Sequence, residues 1–129
     1  MERLIIEPTE DTPGIDFDPA TNLLKMTGRS LPEDVTTFYQ PVIDWLDELE
    51  TSSGKECTLH MELEYFNTAS SKLILDILMK LEDIHLEGNN TIQVIWAHDA
   101  RDVDMQEAAE EYSELVEIPF EIKGIQINS

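Results

Sequence analysis

The sequence predicts an α/β fold in which a mixed five-stranded sheet carries about three helices, packed mainly on one face. Three observations support this. Segments with apolar residues at period two alternate with segments at helical spacing, the pattern of strands joined by helical crossovers. The longest period-two segment sets Cys57, Leu59, Met61, Leu63 and Tyr65 against His60, Glu62, Glu64 and Phe66. A central strand covered on both faces is apolar on both, so one face of this sheet is expected to lie open. Finally, 129 residues at 41% hydrophobic fit one domain, 1–129, around one core.

In chain order, Ile15–Phe17 and Leu23–Thr27 flank the turn-forming stretch Asp18-Pro19-Ala20-Thr21-Asn22 and read as a hairpin. Ser30 is placed to cap the first helix, with Pro32 in the first turn and Glu33 closing a capping box. Val35, Phe38, Val42, Trp45, Leu46 and Leu49 follow at helical spacing, and Pro41 inside that run predicts a kink. After the 57–66 strand, a second helix is expected over Ser70–Leu86, ending at Gly88-Asn89-Asn90. Thr91–Trp96 reads as a strand. Asp104 with Glu107 suggests a capping box for a third helix reaching about Val116. The last strand is expected over Phe120–Ile127, with Gly124 marking a bulge or bend. The order ββαβαβαβ implies a largely parallel sheet with right-handed crossovers.

Charge narrows the choice of partners. Twenty-eight Asp and Glu against eight Lys and Arg leave a formal charge of −20. Such a surface repels phosphate backbones and anionic lipid heads, so neither nucleic acid nor direct membrane binding is expected. Partners with basic patches are favoured, in fast and salt-sensitive encounters. Cys57 is the only cysteine, which excludes an internal disulfide and a cysteine-based zinc site. The run Leu4-Ile5-Ile6 is far too short for a signal peptide or a membrane span, and a cytoplasmic location is expected.

Signs of catalysis are sparse. No glycine-rich phosphate loop, Gly-x-Ser-x-Gly elbow or His-Glu-x-x-His pattern occurs, and no cofactor is expected. His60, Glu62 and Glu64 share one strand face, a spacing that strands use to present metal ligands. They define an alternative reading, a small metal-dependent enzyme. His98-Asp99 with Asp102 and Asp104 lacks the glycine and distal glutamate of a calcium loop and reads as loop and cap. Cys57 lies on the apolar side of its strand and reads as a structural thiol. Glu107, Glu110, Glu111, Glu114 and Glu117 read as a solvated helix face.

The informative stretch is Tyr65-Phe66-Asn67-Thr68-Ala69-Ser70-Ser71, where the central strand hands over to the second helix. Asn67, Thr68, Ser70 and Ser71 are all candidate caps. At about 100° per residue the core stripe of that helix is Leu73, Ile74, Ile77, Leu78, Leu81 and Ile84. Leu75, Met79 and Leu86 form a second apolar strip beyond Glu82, available to a neighbouring helix or to a partner, and methionine there suits adaptable binding.

The strand-Asn67-Thr68-Ala69-Ser70-Ser71-helix junction, the run Phe38-Tyr39-Gln40-Pro41-Val42-Ile43-Asp44-Trp45-Leu46 and the ending Ile118-Pro119-Phe120 resemble the SiaC family of bacterial regulatory phosphoproteins. That family is similar in fold to the STAS domains of anti-sigma factor antagonists. The resemblance implies an open sheet with helices on one side and a phosphorylated threonine at the position of Thr68. It further implies a Ser/Thr protein kinase and a PP2C-type phosphatase that set the state of Thr68. The output protein, commonly a diguanylate cyclase, would be engaged by the unmodified form. Asn67, Thr68, Ser70, Ser71, Leu75 and Met79 are accordingly the expected partner-binding residues. An anti-sigma factor antagonist-type switch is the nearest alternative, but such proteins carry Asp-Ser-Ser-Gly where this chain has Asn67-Thr68-Ala69-Ser70.

Overall fold

The predicted hairpin closes on its own polar residues. In the computed structural model, which describes residues 1–126, Ala20 N donates to Asp18 Oδ1 at 2.9 Å and Asn22 N to the Asp18 carbonyl at 2.9 Å. Asn22 takes the left-handed conformation (φ 58°) that a short polar side chain tolerates. This turn joins β2 (Gly14–Asp18) to β3 (Leu23–Ser30), and β1 (Leu4–Ile6) pairs antiparallel with β2. The sheet therefore has six strands where the sequence predicts five. A three-residue strand is too short for alternation to register. It is held by pairing across Leu4–Phe17 and Ile6–Ile15, by the Arg3–Asp16 ion pair (2.9 Å), and by Trp45 Nε1 donating to the Glu2 carbonyl at 2.7 Å.

The remaining elements are α1 (Val35–Glu50), β4 (Glu56–Phe66), α2 (Thr68–Glu87), β5 (Thr91–Asp99), α3 (Val103–Leu115) and β6 (Phe120–Ile125). Ile127, included in the predicted last strand, lies outside the described residues. Strands β3 to β6 run parallel and lie side by side in chain order. Crossovers of one hand between sequential neighbours carry every helix to the same face. Burial follows that geometry: Leu24, Met26, Leu59, Met61, Val94 and Trp96 are buried beneath the helices, whereas Lys25, His60, Glu62 and Gln93 keep contact with solvent. Cys57 is buried in the core, and burial pushes its thiol pKa up, as a structural role requires.

Several local expectations are corrected. Ser30 does not cap α1; it is the buried last residue of β3, and the cap is Asp34, whose Oδ1 accepts from Thr37 N at 3.1 Å. Pro32 consequently precedes the helix, and Pro41 lies inside it. Asp102 caps α3 in place of Asp104, accepting from Met105 N at 3.0 Å. Gly124 pairs in register with His98, so it marks no bulge in the β5–β6 ladder.

One further correction matters most. Gly28, at φ +109°, pairs with Leu63 while Arg29 pairs with Tyr65, so Glu64 is skipped and the alternation of β4 reverses. Tyr65, expected in the core, is 48% exposed. Phe66, expected on the wet face, packs its ring against Trp96 and Tyr112, each at 6.3 Å between centroids.

Helix α2 now offers a direct comparison of its two apolar stripes, since Ile77 is fully buried and Met79 is 48% exposed. Ile77→Ala is expected to cost roughly 2–5 kcal/mol of unfolding free energy and Met79→Ala no more than about 0.5 kcal/mol, as read by urea denaturation.

Candidate functional site

The junction of β4 and α2 is fixed from three sides. Asn67 is the N-cap, its Oδ1 accepting from Ser70 N at 2.8 Å while its own N donates to the Ser30 carbonyl at 3.1 Å. Ser70 is fully buried, and its Oγ donates to that same carbonyl at 3.0 Å. Ser30 Oγ in turn donates to Ser70 Oγ at 2.8 Å. With the Ser30 proton committed there, Tyr39 must be the donor in its 2.6 Å contact with Ser30 Oγ. Burial raises the pKa of Tyr39 and so keeps that proton in place. The result is a directed chain from α1 through the end of β3 into the first turn of α2.

A second tyrosine closes the other side. Tyr112 of α3 donates from its hydroxyl to the Ser71 carbonyl at 2.8 Å, with its pKa pushed up to about 12, burial being the main cause. Its ring stacks on Trp96 at 5.4 Å. All three helices thus converge on one turn of backbone.

Thr68 stands apart from this clasp. It is the first residue of α2, it is exposed, and its hydroxyl makes no hydrogen bond among the described residues. Only its carbonyl is engaged, accepting from Ser71 Oγ at 2.7 Å. Of the expected partner-binding residues, the structure brings Asn67, Thr68 and Ser71 to the surface of one turn, but it places Ser70 inside the domain. Ser70 therefore positions the turn and has no surface to offer a partner. Leu75 is half-buried against the core and Met79 is exposed.

The second apolar strip shares the face of Thr68. At about 100° per residue, Leu75 and Met79 fall within roughly 20° of the Thr68 direction, and Leu86 returns to it after about five turns. Met79 and Leu86 are among the exposed large hydrophobics. Lys72, also exposed, lies one turn beyond Thr68 on this face. The strip is bordered on the α1 side by Lys80, ion-paired with Asp47 and Glu50. On the α3 side it is bordered by Glu82, which accepts from Glu117 N at 2.6 Å.

Sequence reasoning missed Ser30, Tyr39 and Tyr112. Their hydrogen-bond partners lie 9, 40 and 41 residues away, so no local pattern announces them. It also missed Arg29, whose guanidinium lies 5.8 Å from the centre of the Tyr65 ring. The metal reading gains no geometric support: among the described residues no three His, Cys, Asp or Glu side chains are grouped to hold an ion, and His60, Glu62 and Glu64 spread along the open face.

Because Asn67 and not Thr68 supplies the cap, the two substitutions separate. Asn67→Ala is expected to cost about 1 kcal/mol and Thr68→Ala less than about 0.5 kcal/mol, both measured as shifts in denaturation midpoint at constant slope.

Comparison with known proteins places this geometry in context. The sequence matches the SiaC family regulatory phosphoprotein model over residues 6–125. It is 35% identical to an uncharacterized protein of Pseudomonas aeruginosa (strain UCBPP-PA14), covering 96% of this chain and 98% of that one. The crystal structure of apo-SiaC from Pseudomonas aeruginosa superimposes with a TM-score of 0.90 at 35% identity, covering 96% of this chain and all (100%) of that one. SiaC-like similarity extends to the crystal structure of the diguanylate cyclase SiaD in complex with its activator SiaC, also from Pseudomonas aeruginosa. That match has a TM-score of 0.89 at 34% identity, covering 95% of this chain and 99% of that one. The match over nearly the whole chain, at this identity and with the same fold, makes the protein a member of the SiaC family of regulatory phosphoproteins.

Proposed function

We propose that this protein is a phosphorylation-controlled binding module: its unmodified form docks on an output protein and regulates it, and phosphorylation of Thr68 blocks the docking. The observation that carries the reading is the shared face of α2, where an unengaged threonine hydroxyl heads a strip of exposed apolar side chains about 27 Å long at 1.5 Å per residue. An apolar helix face suits a partner's groove or helix, with Leu75, Met79 and Leu86 as anchors. The related SiaC occurs in complex with a diguanylate cyclase as its activator, so a diguanylate cyclase is the output protein we assign.

The modification acts by charge and hydration. A phosphothreonine carries roughly −1.5 to −2 charge at neutral pH. At the start of α2 it meets the free amides of the first turn and the positive end of the helix dipole, which welcome an anion, so the fold survives. A partner descending on the strip meets instead a hydrated dianion that must be stripped of water. A Ser/Thr kinase installs this group and a PP2C-type phosphatase removes it, both in the cytoplasm. The protein itself performs no catalysis in this scheme. Among the described residues no helix is long and apolar enough to cross a membrane.

Titration of a diguanylate cyclase partner against four forms of the protein checks the proposal. Unmodified protein and Thr68→Ala should bind alike, phosphorylated protein at least about tenfold more weakly, and Thr68→Asp in between, because aspartate supplies less charge than phosphate. Met79→Ser should weaken binding without moving the melting temperature; Leu75→Ser is a poorer probe, since its half-buried side chain also serves the core. Equal affinities for the phosphorylated and unmodified forms would reduce Asn67–Ser71 to an ordinary helix start.

A further inference from the structure

Strands β4 and β5 part company before either ends. Their pairing stops at Met61–Trp96, yet β4 continues along β3 to Phe66 and β5 continues along β6 to Asp99. A crevice opens between them at the carboxyl ends of these parallel strands. Its volume is about 610 Å³, with Glu62 and Glu64 on one lip and His98, Asp99, Arg101 and Asp102 on the other. The skipped residue of the β4 bulge is Glu64 itself, so the irregularity that reverses the strand also delivers a carboxylate to this opening.

The lining mixes apolar residues, Pro8 and Leu63 among them, with His98 and a set of carboxylates. His98 is only 4% exposed, and its Nδ1 lies 2.7 Å from the Asp99 carbonyl. A carbonyl only accepts, so Nδ1 donates the proton in this contact. Among the described residues Nε2 has no partner. The carboxylates of Glu62, Glu64 and Asp102 line the same crevice. The features that would attract an anion are already engaged. Arg101 makes a paired contact with Asp99, Nε to Oδ1 at 3.2 Å and Nη2 to Oδ2 at 3.0 Å. The N-terminus of α3 is occupied by Asp102 Oδ1. What remains is a concave site bearing several carboxylates in a chain of charge −20.

We propose that this crevice binds a guanidinium group, presented by an arginine side chain of a protein partner. A planar cation with five donors can meet several of these carboxylates together, and its long apolar stem suits a cleft that Pro8 and Leu63 also line. No residue of α2 lines the site. A basic partner steered by the net charge would find in it a fixed anchor.

The full chain, isotopically labelled, can be titrated with acetyl-arginine methylamide, with its neutral citrulline counterpart and with spermidine. The amides of residues 62–64 and 98–102 and the His98 ring nitrogens report binding. Saturable shifts confined to these groups are expected from the arginine compound, with affinity roughly tenfold lower for citrulline. Glu62→Gln and Glu64→Gln, both reaching solvent, should each weaken arginine binding severalfold with unchanged melting temperature. Shifts that fail to saturate, that citrulline reproduces, or that survive the double substitution would overturn the proposal. Tighter binding of spermidine than of the arginine compound would overturn its assignment to a protein side chain.

Discussion

The carbonyl of Ser30 accepts two hydrogen bonds, from the backbone of Asn67 and from the hydroxyl of Ser70, and the presentation of the candidate site depends on that double acceptance. Each bond taken alone contributes on the order of 1 kcal/mol, but in a dry interior an unsatisfied partner costs more than a made bond returns. The three hydroxyls of Tyr39, Ser30 and Ser70 form a chain in which every proton has one destination, so removing any one member strands another. Such a network favours one arrangement of the junction over its neighbours. It leaves the Thr68 side chain as the free group of a turn whose backbone is otherwise committed.

Charge plays a different part. Arg3, Lys80, Arg101 and Lys123 are ion-paired with carboxylates, all at the surface. Surface pairs of this kind contribute at most about 1 kcal/mol each, and most of the carboxylates have no cation to meet. The acidity is therefore not what builds the fold; it shapes which molecules approach. Arg29 and Lys72 make no ion pair among the described residues, and both belong to the edge that carries Thr68. Local positive charge there contrasts with the acidic surface around it.

Much of this was legible in the sequence because the sheet is covered on one side only. Alternation in Cys57–Leu63 named the core face of β4, and the stripe Ile74, Ile77, Leu78, Leu81 and Ile84 named the buried face of α2. The failures share a cause. Ser30 looked like a cap because a hydroxyl three residues before a glutamate fits the local pattern, whereas its real partners come from α1 and α2. The reversal at Tyr65 and Phe66 depends on the Gly28 backbone in the neighbouring strand, which period-two counting along β4 does not see. Asp102 displaced Asp104 as a cap by two residues, within the reach of competing carboxylates in one acidic loop. The residues of the candidate site that sequence identified, Asn67, Thr68 and Ser71, are those whose role is local. Those it missed act across the fold.

The bulge at Gly28 and Glu64 also links the two surfaces. Past it, β4 turns its Tyr65 ring outward under Arg29 and its Phe66 ring inward against Trp96 and Tyr112. The inward ring helps seat α3, whose Tyr112 holds the Ser71 carbonyl, while the same bend brings Glu64 to the crevice beside β5. A regular β4 would send Tyr65 into the core and Phe66 into solvent, removing an aromatic contact from the cluster that steadies the first turn of α2. One skipped residue thus serves both the stiffness of the Thr68 turn and the carboxylate lip of the crevice. Strand irregularities of this kind persist where they re-aim side chains that a straight strand would waste.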